Sequence, residues 1–290
     1  MSMKLLVTGA AGGVGPWLID ELLRSDHNVV AVDRSAPKGD LKAHFVQVDL
    51  RSFAETKDVI ERFRPEVVVH FGAIPAPGGI ANHELFENNV LSTYHVLEAA
   101  SLCDVRRTIF ASSISAYGFA WADTPPLPRY LPVDEEHPLL AEDCYGLSKI
   151  VGEEACKAFT RKTGMDTICV RPPWITYPTT YTREFERLQQ NRDTAAGRHL
   201  WAYCDVRDIA RFVRLAAEHP GKLGHEAFIV TAADTIAEEL TLDLVRSAFP
   251  DVPRDEARLD GRRSVFSIEK AHKLLGYRSR FGWGAPQSGS

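Results

Sequence analysis

The sequence predicts an α/β protein built on a doubly wound parallel sheet, and three observations predict it. Short Val-, Ile- and Phe-rich runs alternate with longer segments of helical period through the first half of the chain. A glycine string, Gly9 to Gly15, joins the first such run to the first helical segment. A carboxylate, Asp33, closes the second run. At 290 residues the chain accommodates one large domain, or one plus a modest lobe, without metal or disulfide staples.

Taken in order, the runs that read as strands are Lys4 to Val7, Asn28 to Asp33, Phe45 to Val48, Val67 to Phe71, Thr108 to Ser112 and Thr167 to Val170. Between them, Phe53 to Phe63, Leu85 to Ala100 and Tyr145 to Arg161 are long enough to serve as crossover helices. The composition breaks at Arg171-Pro172-Pro173, and a Pro-rich stretch, Thr124 to Pro138, interrupts an otherwise compact connection. Loops of that length in such folds carry function. The division expected is 1–172 as the sheet domain and 173–290 as a small substrate-binding lobe, with some segments returning to the sheet. In that second part, Ile209, Phe212, Val213, Ala216 and Ala217 mark an amphipathic helix. A strand at Ala227 to Val230 and helices at Leu240 to Phe249 and Ser267 to Leu275 follow, the last with Ser267 as N-cap. The tail Gln287 to Ser290 is expected to be disordered.

Composition narrows the function classes. A net charge of −5, from 34 Lys plus Arg against 39 Asp plus Glu, opposes a polyanion, so no nucleic-acid partner is expected. The early apolar run stops at Thr8-Gly9, too short for a signal-peptide core or a membrane span, and the expected location is cytoplasmic. Five scattered cysteines suit reduced thiols, and the ten histidines form no ligand pair, so no metal site is expected.

The glycine string Gly9-Ala10-Ala11-Gly12-Gly13-Val14-Gly15 has the spacing of a phosphate cradle. Glycine lets backbone approach a diphosphate, and the next helix offers unpaired N–H groups and a positive dipole end. Asp33, 18 residues beyond Gly15, is placed to bind both hydroxyls of an adenosine ribose, which favours NAD. Arg34 beside it suits a 2′-phosphate, so NADP stays open. Asp49-Leu50 ends the third strand beside the expected adenine, with helix capping as the other use of Asp49. Phe71, Gly72 and Ala73 at the end of the fourth strand, Ala111 and Ser112 on the fifth, and Pro172 are expected to line the same carboxyl edge. His70 reads as a satisfied near-core residue rather than a base.

Tyr145 and Lys149 stand at i and i+4 on a helix and share a face. An ammonium near a phenol favours the phenolate and brings it toward neutral pH. Ser113, at the sheet's carboxyl edge, is a hydroxyl for orienting a substrate oxygen. Taken together, Thr8-Gly9-x-x-Gly12-x-x-Gly15, Asn89-Val90, Ser112-Ser113-x-x-x-Tyr117-Gly118, Tyr145-x-x-x-Lys149 and Arg171-Pro172 resemble the ordered signature of extended short-chain dehydrogenases/reductases. The resemblance covers roughly the first 180 residues. It implies a Rossmann-type fold, Tyr145 as acid/base, Lys149 as its tuner and ribose anchor, Ser113 as the substrate-orienting hydroxyl, and Asn89 as the asparagine of the central helix. It also implies a homodimer through the helices at Leu85 to Ala100 and Tyr145 to Arg161.

Tyr130 to Pro138 further resembles the loop preceding this helix in nucleotide-sugar 4-epimerases, which makes Asp134, Glu135 and His137 structural. Ile114 and Ser115 follow Ser113 where dehydratases of this family carry an acidic pair, which disfavours elimination. Only about 25 residues separate Tyr177 from Tyr203, a short lobe for clamping a nucleotide. Gly261-Arg262-Arg263, before the Ser267 to Tyr277 helix, resembles the place where sugar-nucleotide enzymes keep a diphosphate-binding arginine, or is a solvated basic pair. The expected activity is hydride transfer on a sugar, sugar acid or similar small hydroxy or carbonyl compound, with UDP-sugar 4-epimerase using tightly held NAD as the alternative. Pro75, Ser113, Ile114, Arg183, Arg198, Trp201 and Tyr203 are the candidates for the substrate wall.

Overall fold

The protein is seen here in a computed structural model, which describes residues 2–183, 186 and 199–282. Strands β1 (Lys4–Thr8), β2 (Asn28–Asp33), β3 (His44–Gln47), β4 (Val67–His70), β5 (Arg107–Ala111), β6 (Asp166–Arg171) and β9 (His225–Ile229) form a seven-stranded sheet in the order β3-β2-β1-β4-β5-β6-β9. Each pairing in it is parallel. Strands β7 (Trp174–Thr176) and β8 (Tyr203–Asp205) pair separately. The α-helices that position the site and pack the sheet and lobe include α1 (Gly15–Arg24), α2 (Phe53–Phe63), α3 (Asn82–Leu102), α4 (Cys144–Thr163), α5 (Val206–Glu218), α6 (Thr241–Ala248) and α7 (Glu269–Leu275).

Alternation along the strands sorts the apolar residues onto two faces. Leu5, Val7, Val29, Ala31, Val67, Val69 and Ile109 pack against Leu18 and Leu22 of α1 and Ile209, Phe212 and Val213 of α5. Their neighbours Leu6, Val30, Val32, Val68 and Phe110 pack against Val59 and Ile60 of α2, Val96 and Leu97 of α3, and Cys156 and Phe159 of α4. Burying each such side chain contributes about 1.5–3 kcal/mol, so both faces of the sheet are strongly specified. A third cluster gathers Tyr117, Phe119, Leu131 and Val133 with Trp201, Tyr203, Val245, Phe249 and Phe266. The Pro-rich loop thus belongs to the core of the lobe, while α5, β9 and Tyr277 return to the sheet.

Helix ends follow their caps. The Ser52 hydroxyl accepts from Glu55 N to open α2, the Asp143 carboxylate accepts from Gly146 N to open α4, and Gly164 closes α4 in the left-handed region. Several element ends shift by one to three residues from those expected, and three of these shifts have a visible cause. The third strand begins one residue earlier, because β2 pairs Val30 with His44 and Asp33 with Gln47. The fifth ends at Ala111, because Ser112 N turns back to donate to Phe110 O. The last helix takes Ile268 as its cap position, although the Ser267 hydroxyl still accepts from Glu269 N at 3.3 Å. The expected tail, Gln287 to Ser290, lies outside the described residues. Among the described residues no helix is long and apolar enough to cross a membrane.

Candidate active site

The strand order reverses at β1, with β2 on one side and β4 on the other, and the β1–α1 turn lies at that crevice. Gly9 takes φ +73°, and a Cβ there would stand 2.6 Å from the Phe71 carbonyl carbon. At Gly15 a Cβ would run into the Gly9 carbonyl oxygen. No side-chain hydrogen bond caps the start of α1 at Val14, and Pro16 fills its first turn, so that end keeps its donors for an anion. The Asp33 carboxylate accepts from Ala11 N and Ser35 N, each at 3.0 Å, which holds it beside the loop.

Two cavities meet at this turn and share Gly9, Gly12, Phe71 and Ala73 in their walls. The smaller, ≈ 120 Å³, is lined by Asp33, Arg34, Asp49, Leu50 and Gly72. The larger, ≈ 480 Å³, is lined by Gly13, Val14, Pro75, Ala111, Ser112, Ser113, Ile114, Tyr145, Lys149 and Pro172. A carboxylate at one end, a glycine-lined waist beside an uncapped helix start and a phenol with an ammonium at the other fit a nicotinamide dinucleotide. The cap role of Asp49 falls to Ser52, and the Asp49 carboxylate is held by Arg51 at 2.6 Å, which keeps it below the usual carboxylate range.

Tyr145 and Lys149 are 9% and 3% exposed. The Lys149 ammonium donates to Ala111 O at 2.8 Å and stands 5.3 Å from the Tyr145 ring centroid. Burial lowers Lys149 to about 8. Ser113 hydrogen-bonds the Tyr145 hydroxyl, and the Ser113 Oγ also accepts from Ser115 N at 3.0 Å. The phenol itself is pushed up to about 12 by burial, with the Ser113 bond opposing. The sequence led us to expect a lowered phenol; desolvation outweighs the charge nearby, because the ammonium is directed to the Ala111 carbonyl.

The remaining sequence candidates separate clearly. Asn89 is buried, donates to Ile74 O, accepts from Ile74 N and reaches Ser148, so it braces the loop after β4 and is not in either cavity wall. The Ser112 hydroxyl turns away to Glu153 at 2.5 Å. Trp201, expected in the substrate wall, is instead buried in the lobe core with its ring centroid 6.1 Å from that of Phe249, because its apolar ring gains more by packing with the lobe cluster than by facing the cavity. Tyr203 likewise binds Asp234 within that core. Arg183 is exposed, and Arg198 lies outside the described residues. Arg262 donates to the Thr235 and Ala237 carbonyls, and neither it nor Arg263 lines the larger cavity. His137 accepts from Arg129 N, and the Asp134 carboxylate and carbonyl accept from Tyr130 and Tyr117, so that loop is braced internally.

His70 is fixed in one tautomer. Thr8 Oγ1 accepts from Gly72 N and donates to His70 Nδ1; His70 Nε2 then donates to Thr93, which donates to Asn89 O. Burial drops its pKa to about 3, so it stays neutral. Sequence reasoning missed Trp121, Trp174, Tyr177 and His199, which also line the larger cavity. His199 meets Trp121 and Trp174 edge-on, with ring centroids 6.5 and 5.7 Å away. Trp174, one residue past Pro172-Pro173, carried the only signal: it follows a strand at the carboxyl edge.

Fold and cradle define a dinucleotide-binding α/β protein of the doubly wound class. The chain belongs to the NAD dependent epimerase/dehydratase family, which it matches over residues 5–230. It is 35% identical over 177 residues to the putative UDP-glucose 4-epimerase of Methanocaldococcus jannaschii, a match covering 58% of this chain and about half (54%) of that protein. It is 30% identical over 283 residues, 96% of each chain, to the L-arabinose 1-dehydrogenase (NAD(P)(+)) of Haloferax volcanii. Its fold superposes on a short-chain dehydrogenase/reductase superfamily protein from Agrobacterium tumefaciens solved with bound NAD, with a TM-score of 0.72 at 24% identity over 96% of this chain and 93% of that one.

Proposed function

We propose that this protein is an NAD-dependent dehydrogenase that oxidises a sugar, sugar acid or similar small hydroxy compound, or reduces the matching carbonyl. The observation that carries this reading is the grouping of Ser113, Tyr145 and Lys149 in one cavity wall that continues through the glycine waist to Asp33. When bound, the coenzyme would supply the hydride acceptor, as NAD, for oxidation and the hydride donor, as NADH, for reduction. Asp33 holds the adenosine ribose, with Arg34, Asp49 and Leu50 around the adenine end; Gly9, Ala11, Gly12, Gly13, Val14 and Gly15 cradle the diphosphate. Phe71, Gly72, Ala73, Ala111, Ser112 and Pro172 form the edge along which the rest lies, braced by Asn89.

Ser113 orients the substrate hydroxyl, and Tyr145 takes its proton during oxidation or returns it during reduction. Lys149 anchors a ribose hydroxyl and stands 5.3 Å from the ring centroid of Tyr145, which takes the proton as the phenolate, the form that burial opposes in the coenzyme-free protein. Pro75, Ile114, Trp121 and Trp174 enclose the substrate, the indoles offering faces on which a sugar ring stacks. The full-length match to an arabinose dehydrogenase supports a free sugar. Of the expected division at residue 172, we retain the first part as the coenzyme half and assign the substrate to the lobe carrying Trp174 and His199.

The 35% identity to a putative UDP-glucose 4-epimerase favours a second reading, redox-neutral epimerisation of a UDP-sugar. Against it, the Arg262 guanidinium is engaged by backbone carbonyls. Added NAD with a panel of aldoses and uronates is expected to yield free NADH at 340 nm. Redox-neutral turnover of UDP-glucose with NAD retained by the purified protein would overturn the dehydrogenase reading. The packed pair α3 and α4 leaves Leu91, Tyr94 and Leu147 exposed, which supports a homodimer through these helices; light scattering tests it.

A further inference from the structure

We propose that Glu153 is a positioning residue for the proton site: its buried carboxylate locks α4 to the ends of β5 and β6 and presents the negative charge that faces the Lys149 ammonium. The inference rests on the reading of Tyr145 and Lys149 given above. Tyr145, Lys149 and Glu153 recur every four residues and share one face of α4. Glu153 is fully buried. Its Oε1 accepts from Ser112 Oγ at 2.5 Å and from Arg171 Nε at 2.8 Å, and its Oε2 accepts from the second Arg171 nitrogen at 2.6 Å.

Both strand ends so held also build the site. Ser112 lies between Ala111, whose carbonyl receives the Lys149 ammonium, and Ser113, which meets the Tyr145 hydroxyl. Arg171 precedes Pro172 in the cavity wall and donates onward to Tyr117 Oη at 2.8 Å and Glu135 O at 3.1 Å, which carries the brace into the lobe. A slip of α4 along the sheet would separate Lys149 from Ala111 and Tyr145 from Ser113 together. One buried ion pair with a hydroxyl donor prevents it.

The charges around Lys149 are few. Its own helix supplies Tyr145 and Glu153, β4 supplies His70, held neutral, and β5 supplies the Phe110 ring at 5.2 Å and the Ala111 carbonyl. Arg171 on β6 and His225 on β9 reach Lys149 only through Glu153. Asp143 at the helix start faces Tyr145. Among the described residues Glu153 is the one carboxylate acting directly on the ammonium, and it opposes the burial that lowers Lys149 to about 8.

The test is an NMR titration of the apo-protein carrying lysine labelled at Cε, with the Lys149 resonance assigned by its loss in Lys149→Met. Glu153→Gln keeps an acceptor for Arg171 and removes the charge. Its Lys149 midpoint is expected about one pH unit or more below that of the wild type. Arg171→Gln leaves the carboxylate without its other partner, and its midpoint is expected to rise. A merely structural role loosens the site and moves both midpoints up toward the ordinary lysine value. An unchanged or raised midpoint in Glu153→Gln overturns the proposal; should that variant not fold, an unchanged midpoint in Arg171→Gln does so. Turnover of aldoses by Tyr145→Phe separates this from failure of the underlying reading: retained turnover there sinks the proton-site assignment, whatever the Lys149 titration reads.

Discussion

The Lys149 ammonium donates to the carbonyl oxygen of Ala111 at 2.8 Å, a bond that ties α4 to the last residue of β5 beside the larger cavity. It directs the charge along the sheet edge rather than straight at the Tyr145 hydroxyl. The phenol is therefore governed first by burial and second by its bond with Ser113.

Removing only the reactive oxygen tests the centre of the site. Tyr145→Phe keeps the ring and its packing, so NAD affinity measured by fluorescence quenching is expected to stay within about threefold. Turnover is expected to fall about 10²–10⁴-fold, the range of a lost acid/base.

At the other end, Asp33→Asn retains an acceptor for Ala11 N and removes the charge beside Arg34. NAD affinity by calorimetry is expected to drop about tenfold, the loss of one charge-assisted bond. NADP affinity is expected to rise relative to NAD.

The cradle is sterically unforgiving. Gly9→Ala places a Cβ at positive φ and against the Phe71 carbonyl. The strain costs about 1–3 kcal/mol, so thermal unfolding is expected roughly 2–12 °C lower, with NAD binding lost in parallel.

His70 sets an acid limit on stability. Its folded pKa, about 3, lies below the ordinary 6.5, so the unfolded chain binds the extra proton first as pH falls. Stability is full above pH 6.5 and declines toward pH 3, by up to about 1.4 kcal/mol per pH unit from this group. In denaturant titrations at pH 7, 6, 5 and 4, His70→Asn is expected to show a shallower decline than the wild type.

Trp174 separates substrate from coenzyme. Trp174→Ala is expected to raise KM for the sugar about tenfold while leaving NAD affinity unchanged, because the indole lines only the larger cavity.

Much of this was legible in the chain. The unbroken Leu, Val and Ala runs of β1, β2 and β4 announce strands buried on both faces, and the glycine spacing announces the turn between β1 and α1, because both are local consequences of steric and solvation rules. Tyr145 and Lys149 are four residues apart on a helix, so their common face follows from helical geometry alone. Asn89 and Ser112 were harder. Their positions at the edge were readable, but the direction of each side chain depends on Ile74 and Glu153, 15 residues before the one and 41 after the other.

By itself, then, the sequence determined the sheet, the cradle, the pairing of a phenol with an ammonium, and through its ordered motifs the family. Tertiary structure alone decided that Trp201 packs in the lobe while Trp121, Trp174 and His199 line the cavity. It also decided that burial raises Tyr145 and that Glu153, on the helix that carries Lys149, binds Ser112 and Arg171. The reason is that periodicity reports which way a side chain leaves its own backbone, whereas cavity walls and desolvation arise from segments far apart in sequence that meet only once the core has closed.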